Sequence, residues 1–324
     1  MLFESNKKTK QSESVTVVGV TPCLQRTLVL PKLEIGEVNR TGEIFESASG
    51  KGTNVFHVLQ QLGCPAHLIT TFGGSNGAKF LSYLEKSFNS EISKVNVPFE
   101  TRICQTLIDT SSGQVTELVE ESKKLDQRVI EEIEASLRLR FHEKSSLVLS
   151  GSPPPGSSED IYSRWIQSCQ DSGGYAFVDC QKQFLKSAIQ SGAFLVKANQ
   201  TEWEMTLGKG FSSISDCVST LKKTIEKGVS VSMMTLGERG MICCCKNIAW
   251  LVQHPSLSVV NPIGSGDATM AGLVFGILTG ESIEETLKLG AASGMANTQT
   301  KVSGVIQKAT LEKYLSLIDV RKLS

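Results

Sequence analysis

The sequence predicts an α/β fold built around a mainly parallel sheet. Short apolar, β-rich runs alternate with amphipathic helical stretches along most of the 324 residues. The helical stretches have the lengths that parallel strands need for their crossovers. Two glycine-rich turns, at 49–54 and 261–267, each lead into a helix.

Taken in order, 15–20 (VTVVGV) opens the fold as a strand. Residues 1–14 are polar and lysine-containing, without the apolar run of a secretory signal, and are expected to form a disordered tail. A strand at 66–72 precedes a helix at 77–88. Residues 125–141 read as a helix because Leu125, Val129, Ile133, Leu137 and Phe141 recur every four positions. Strands are expected at 146–150, 175–179, 194–197 and 229–236, with a helix at 159–171. A last apolar helix runs from the turn at 264–266 to Leu278. Two stretches break the alternation. Residues 24–48 hold three short strand-like pieces, and 95–119 alternate polar with apolar, as in Thr101–Ile108. Two β-rich inserts in an α/β body predict a small second sheet, a lid over the site. The rest reads as one domain, 15–324.

Composition excludes several classes. Lysine plus arginine equals aspartate plus glutamate at 33 each, so no bulk positive charge recruits nucleic acid. With 40% hydrophobic and 20% charged residues the chain can bury a large core. Nine cysteines are too sparse for a disulfide scaffold and read as reduced thiols of a cytoplasmic protein. The longest apolar run, Met270–Leu278, is interrupted by Gly272 and Gly276 and falls far short of the ~20 residues of a membrane span. His57, His67, His142 and His254 lack zinc-site spacing, and Trp165, Trp203 and Trp250 read as packing residues.

Four motifs could carry chemistry. In Asn261-Pro-Ile-Gly264-Ser265-Gly266-Asp267 a glycine turn opens an apolar helix. Free amides at such a helix start favour an anion. Asp267 in the first turn could accept a proton from a hydroxyl beside that anion. Amides around a moving phosphoryl group and a base for the attacking oxygen are the parts of a phosphoryl-transfer site. The plain alternative is a first-turn acid favoured by the helix dipole. Ser49-Gly50-Lys51-Gly52-Thr53-Asn54 is a second such turn, or a plain turn with a solvated lysine. It is not a Walker A motif, because Gly52 follows Lys51 and Phe45 stands where the first glycine belongs. Nor does a Rossmann fingerprint follow the first strand. Lys197-Ala-Asn199-Gln-Thr-Glu202 puts Asn199 and Glu202 on one face of a helix start, as a metal and nucleotide corner, a capping box, or both. Thr235-Leu-Gly237-Glu-Arg-Gly240 is a turn after the next strand.

In this order the motifs resemble the PfkB (ribokinase-like) family of carbohydrate kinases, over 15–317. Ile35–Arg40, the Gly50-Lys51-Gly52 loop and Leu149–Gly156 look most like its 1-phosphofructokinase and tagatose-6-phosphate kinase branch. The resemblance implies a ribokinase-like three-layer sandwich with a β lid, and a phosphotransferase that uses ATP and Mg2+ on a sugar phosphate, fructose 1-phosphate first. It implies Asp267 as base and Gly264, Ser265 and Gly266 as anion hole. Lys197, Asn199, Thr235, Gly237 and Gly240 would contact nucleotide, and Glu202 would hold Mg2+ through water. Gln25, Gly50, Lys51, Asn54 and Arg102 would contact the sugar phosphate, with Arg40 and Ser152 as further contacts, and the lid would pair two subunits. The chain departs from the family at Thr21-Pro22-Cys23-Leu24-Gln25, where the branch has Asn-Pro-Ala-Leu-Asp, at Ser49, where it has glycine, and at Pro262, where it has a small residue. Gln25 both donates and accepts where the aspartate only accepts. Kinases for tagatose 6-phosphate, fructose 6-phosphate or another sugar, and a sugar- and nucleotide-binding regulator with weak turnover, are the alternatives.

Overall fold

The computed structural model describes residues 15–87, 91–141 and 145–323; the expected tail, Phe88 and His142 lie outside them. The chain begins β1 (Val15–Gly19), β2 (Cys23–Leu30), β3 (Glu43–Ser49), α1 (Lys51–Gln61), β4 (Ala66–Phe72), α2 (Gly74–Ser87) and β5 (Ile92–Asn96). It continues β6 (Ile103–Asp109), β7 (Val115–Val119), α3 (Gln127–Arg140), β8 (Ser146–Ser150), α4 (Ile161–Asp171), β9 (Ala176–Asp179), α5 (Lys182–Gln190) and β10 (Leu195–Asn199). Then follow α6 (Gln200–Leu207), α7 (Ile214–Ile225), β11 (Val231–Thr235), β12 (Met241–Cys245) and β13 (Ile248–Gln253). The chain closes with α8 (Ser265–Leu278), α9 (Ile283–Thr298), α10 (Lys308–Leu315) and β14 (Asp319–Leu323).

The ten-stranded sheet runs β14-β13-β12-β11-β10-β9-β8-β1-β4-β5. It is parallel from β5 to β11 and antiparallel from β11 to β14. Its central strands are apolar on both faces because helices cover both. On β8, Val148 joins one core while Leu147 and Leu149 join the other. The first core is shared with α1, α2 and α8–α10, the second with α3–α7. Three layers result. Helix α8 is buried nearly all round, because α9 lies close against it where Gly272, Gly276, Gly290 and Gly294 leave no room for side chains.

The lid is a separate four-stranded sheet, β3-β2-β6-β7. Its central pair, β2 and β6, is parallel and its outer pairs are antiparallel. Two expectations change. The 24–48 insert forms two strands, because the exposed stretch 31–42 between them pairs with nothing regular. Val95 and Asn96 belong to β5 of the main sheet, where Val95 is buried, so the second lid insert begins at Ile103. All nine cysteines are buried free thiols. His57 and His67 are buried, and burial pushes both rings down to about 4, so they are neutral at pH 7. No helix among the described residues is long and apolar enough to cross a membrane.

Candidate active site

Ligands of open α/β sheets bind beyond the carboxyl ends of parallel strands. That edge carries Asp179 at the end of β9, Asn199 at the end of β10 and Thr235 at the end of β11. The turn before α8 faces it. Gly264 adopts φ 83, a left-handed conformation that glycine takes without strain, and a Cβ there would come 2.9 Å from Ser303 Cβ. Asn297 fixes this turn: Nδ2 donates to Ile263 O at 2.8 Å and Oδ1 accepts from Gly304 N at 2.8 Å. The first intrahelical bond of α8 is Ala268 N to Gly264 O, so the amides of Gly266 and Asp267 have no acceptor within the helix.

Asp267 is buried at 6% exposure and accepts one hydrogen bond, from Asn54 Nδ2 at 2.8 Å. Burial lifts its carboxyl to about 7, with Asp179 adding to the effect and Lys51, Asn54 and Lys197 opposing it. A carboxylate that titrates near neutrality suits a general base.

Gly50 precedes α1 at φ 115, with its Cα side against Pro22 and Thr21. A Cβ on Gly52 would meet Val18 O at 2.6 Å, so α1 starts directly over the end of β1. Lys51 Nζ donates to Glu202 Oε1 at 3.0 Å. Burial opposes its charge, but Asp179, Glu202 and Asp267 outweigh that and hold the ammonium protonated. Glu202 Oε2 accepts from Asn199 N, and Asn199 Oδ1 accepts from Glu202 N, both at 2.8 Å. The capping box anticipated for this pair is therefore present, and the same glutamate faces the cavity.

Two cavities meet at the turn before α8. One, of about 470 Å³, is lined by Gln25, Gly50, Lys51, Asn54 and Arg102, and by Lys197, Glu202, Gly264 and Asp267. The other, of about 490 Å³, is lined by Gly237, Gly240 and Ser265 and by apolar side chains including Met241, Leu257 and Met295. Asn199, Thr235, Pro262 and Gly266 border both. Asp267 thus faces the first cavity, and the glycine turn before α8 stands between the two.

Several sequence-selected residues are engaged by other groups of the protein or lie away from the cavities. Lys197 borders the first cavity, not the apolar one, and is ion-paired with Asp179 Oδ2 at 2.7 Å, both side chains being almost fully buried. Asn54 has its amide engaged by Asp267 and by Ser49. Arg102 lines the first cavity, but its guanidinium donates to the carbonyls of Thr21, Pro22 and Glu120 at 3.0, 3.3 and 2.9 Å. Three of its five N–H donors are thereby used, leaving two. Gln25 is buried and donates from Nε2 to Thr106 Oγ1 at 2.8 Å. Arg40 and Ser152 border neither cavity.

Sequence reasoning missed Asp179, which is 2% exposed and keeps Oδ1 without a hydrogen-bond partner at the cavity wall. Its position at the end of an expected strand was the available signal. It also missed Cys23, Cys104 and Glu117, which the lid brings to the first cavity. Only strand pairing reveals these.

A buried carboxylate beside a glycine turn with free amides, where two cavities meet, is an arrangement able to carry group transfer. The profile of the pfkB family carbohydrate kinases matches residues 12–308, and the chain belongs to that family. It is a sugar kinase. Solved structures agree on the fold. A possible 1-phosphofructokinase from Thermotoga maritima superposes with a TM-score of 0.87 at 22% identity, over 96% of this chain and 100% of that one. Phosphofructokinase-2 from Escherichia coli, in complex with substrates and products, gives 0.86 at 23%, over 94% and 98%. A Staphylococcus aureus protein, provisionally described as a phosphofructokinase, gives 0.79 at 26%, over 96% and 99%.

Proposed function

We propose that the chain transfers the γ-phosphoryl group of ATP to a ketohexose phosphate, with fructose 1-phosphate as first candidate. The observation that carries this is the pair of cavities meeting at Gly266, with Asp267 on the polar side only. The apolar cavity suits a nucleobase and ribose, with Thr235, Gly237 and Gly240 along its wall. The polar cavity receives the sugar. Asp267 takes the proton of the attacking hydroxyl, and the amides of Gly266 and Asp267 stabilise the phosphoryl group in transit. Lys51 and the two unused donors of Arg102 grip the acceptor's own phosphate, which a neutral sugar would leave unpaired.

The donor set fits Mg2+. Glu202 faces the polar cavity, and Asp179 Oδ1 is a buried acceptor without a partner. A hard cation takes such oxygens together with water and phosphate oxygens. No cluster of three or more His, Cys, Asp or Glu among the described residues could hold a metal alone. Glu202, with Asp179 beside it, would hold Mg2+ brought by the nucleotide, and the cation would supply neutralisation of phosphate charge. We further propose a cytoplasmic homodimer paired through the lid, whose edge strands β3 and β7 carry exposed Ile44, Leu118 and Val119.

A panel of sugars and sugar phosphates with Mg-ATP, read as ADP release, tests the assignment. Turnover confined to unphosphorylated sugars would refute the acceptor class. Selectivity for fructose 6-phosphate or tagatose 6-phosphate would keep the class and replace the sugar.

A further inference from the structure

Ser49 stands where the family pattern has glycine, and its hydroxyl has two partners. Oγ donates to Asn54 Oδ1 at 2.9 Å, and Ser303 Oγ lies 3.0 Å from it. Asn54 Nδ2 in turn donates to Asp267 Oδ2 at 2.8 Å. All four side chains are at most 6% exposed, so bulk water does not compete for these bonds.

The direction of the row follows from its end. An ionised carboxylate only accepts, so Asn54 presents Nδ2 to Asp267. That turns Oδ1, also only an acceptor, toward Ser49. Ser49 has one hydroxyl proton and gives it to Oδ1, so its oxygen accepts from Ser303. Every proton then points toward Asp267. The far end is anchored in the backbone. Gly304 N is held by Asn297 Oδ1, and Gly304 stands so close to Asn54 that a Cβ would come 3.1 Å from Asn54 Cα.

We propose that Ser49, backed by Ser303, is a positioning residue for phosphoryl transfer: its hydroxyl locks the Asn54 amide with Nδ2 toward Asp267 and so fixes the orientation of that carboxylate. The inference rests on Asp267 being the base. Without the Ser49 hydroxyl the amide is free to turn over. The inverted amide sets Oδ1 against Asp267 Oδ2, a contact that is favourable only when the carboxyl is protonated. Loss of Ser49 therefore favours the protonated acid. Asp267 is faced by Lys51 from α1, Asp179 from β9 and Lys197 from β10, and the substitution leaves all three in place.

The test is the carboxyl titration of the ligand-free protein by infrared difference spectroscopy, assigned with Asp267→Asn, together with the pH profile of kcat. In Ser49→Ala the midpoint is expected to rise by about half to one unit, the scale of one weakened charge-assisted bond. At pH 7 kcat should fall roughly three- to tenfold with little change in KM for the sugar phosphate, because orientation of the base matters only in the transition state. Ser303→Ala should shift the same way by less. The double variant should match Ser49→Ala alone, since Ser303 acts through Ser49. Unchanged midpoints and acidic limbs in the single variants overturn the proposal, as does full additivity. If Ser49→Ala fails to fold, Ser303→Ala decides by the same readouts. Wild-type activity in Asp267→Asn would instead overturn the base assignment, an outcome the spectroscopic midpoint does not share.

Discussion

Replacing Asp267 by asparagine should make the protein more stable while abolishing its activity. Burial raises this carboxyl from 3.8 to about 7. Its folded-state value lies above its unfolded one, so the contribution to stability is fully present below pH 3.8 and is lost as pH rises through 7. The shift is about three units, and at 1.36 kcal/mol each the ionised form costs ~4 kcal/mol of stability above pH 7. Asparagine keeps the shape and still offers an oxygen to Asn54 Nδ2, but carries no charge to desolvate. Urea unfolding at pH 5 and pH 8 measures the effect. The unfolded carboxyl is already ionised at pH 5, so the advantage of Asp267→Asn should be ~1–1.5 kcal/mol there and grow to ~2–4 kcal/mol at pH 8. Turnover should fall ~10²–10⁴-fold, the usual loss for a positioned base, with nucleotide affinity nearly unchanged. An asparagine variant no more stable than wild type at pH 8 would refute the claim that the site holds an unfavourably buried base.

Other expectations follow from the same geometry. Glu202→Gln keeps a side chain able to complete the capping box but loses the charge that pairs with Lys51; the Mg2+ concentration for half-maximal rate should rise with little change in melting temperature, and a loss of stability alone would leave Glu202 as a cap. Gly240→Ala forces a Cβ to within 1.9 Å of Val252 O at φ 89; the adjoining turn must move, and KM for ATP should rise beyond that for the sugar. Leu118→Glu on lid strand β7 should turn a dimer into a monomer in light scattering, and a wild-type monomer with full activity at micromolar concentration would contradict pairing through the lid. Arg102→Ala should raise KM for a sugar phosphate more than it lowers kcat, because a contact remote from the reacting hydroxyl acts alike in ground and transition states.

Much of this was legible in the sequence where the signal is local. Glycine turns leading into helices marked both ends of the site, and the residues selected at 50–54 and 264–267 do border the cavities. The Asn199–Glu202 spacing gave the capping box. What escaped depends on long-range pairing. Lys197 was identified at a strand end, but its partner Asp179 lies one strand away, and that ion pair draws the ammonium toward the polar cavity. Arg102 is held by three carbonyls that no spacing rule foresees. The 95–119 insert has alternating character, yet its first residues join the main sheet, because alternation does not say which sheet a strand joins.

The central claim is that the polar cavity is built for a sugar that already carries a phosphate. Measuring kcat/KM for fructose 1-phosphate and for fructose side by side, with saturating Mg-ATP, tests it most directly. Two charge-assisted contacts at ~1.5–3 kcal/mol each predict a preference of at least ~10²-fold for the phosphorylated sugar. Equal efficiency on the two would contradict the claim, leaving a PfkB kinase whose Lys51 and Arg102 serve the fold and not the acceptor.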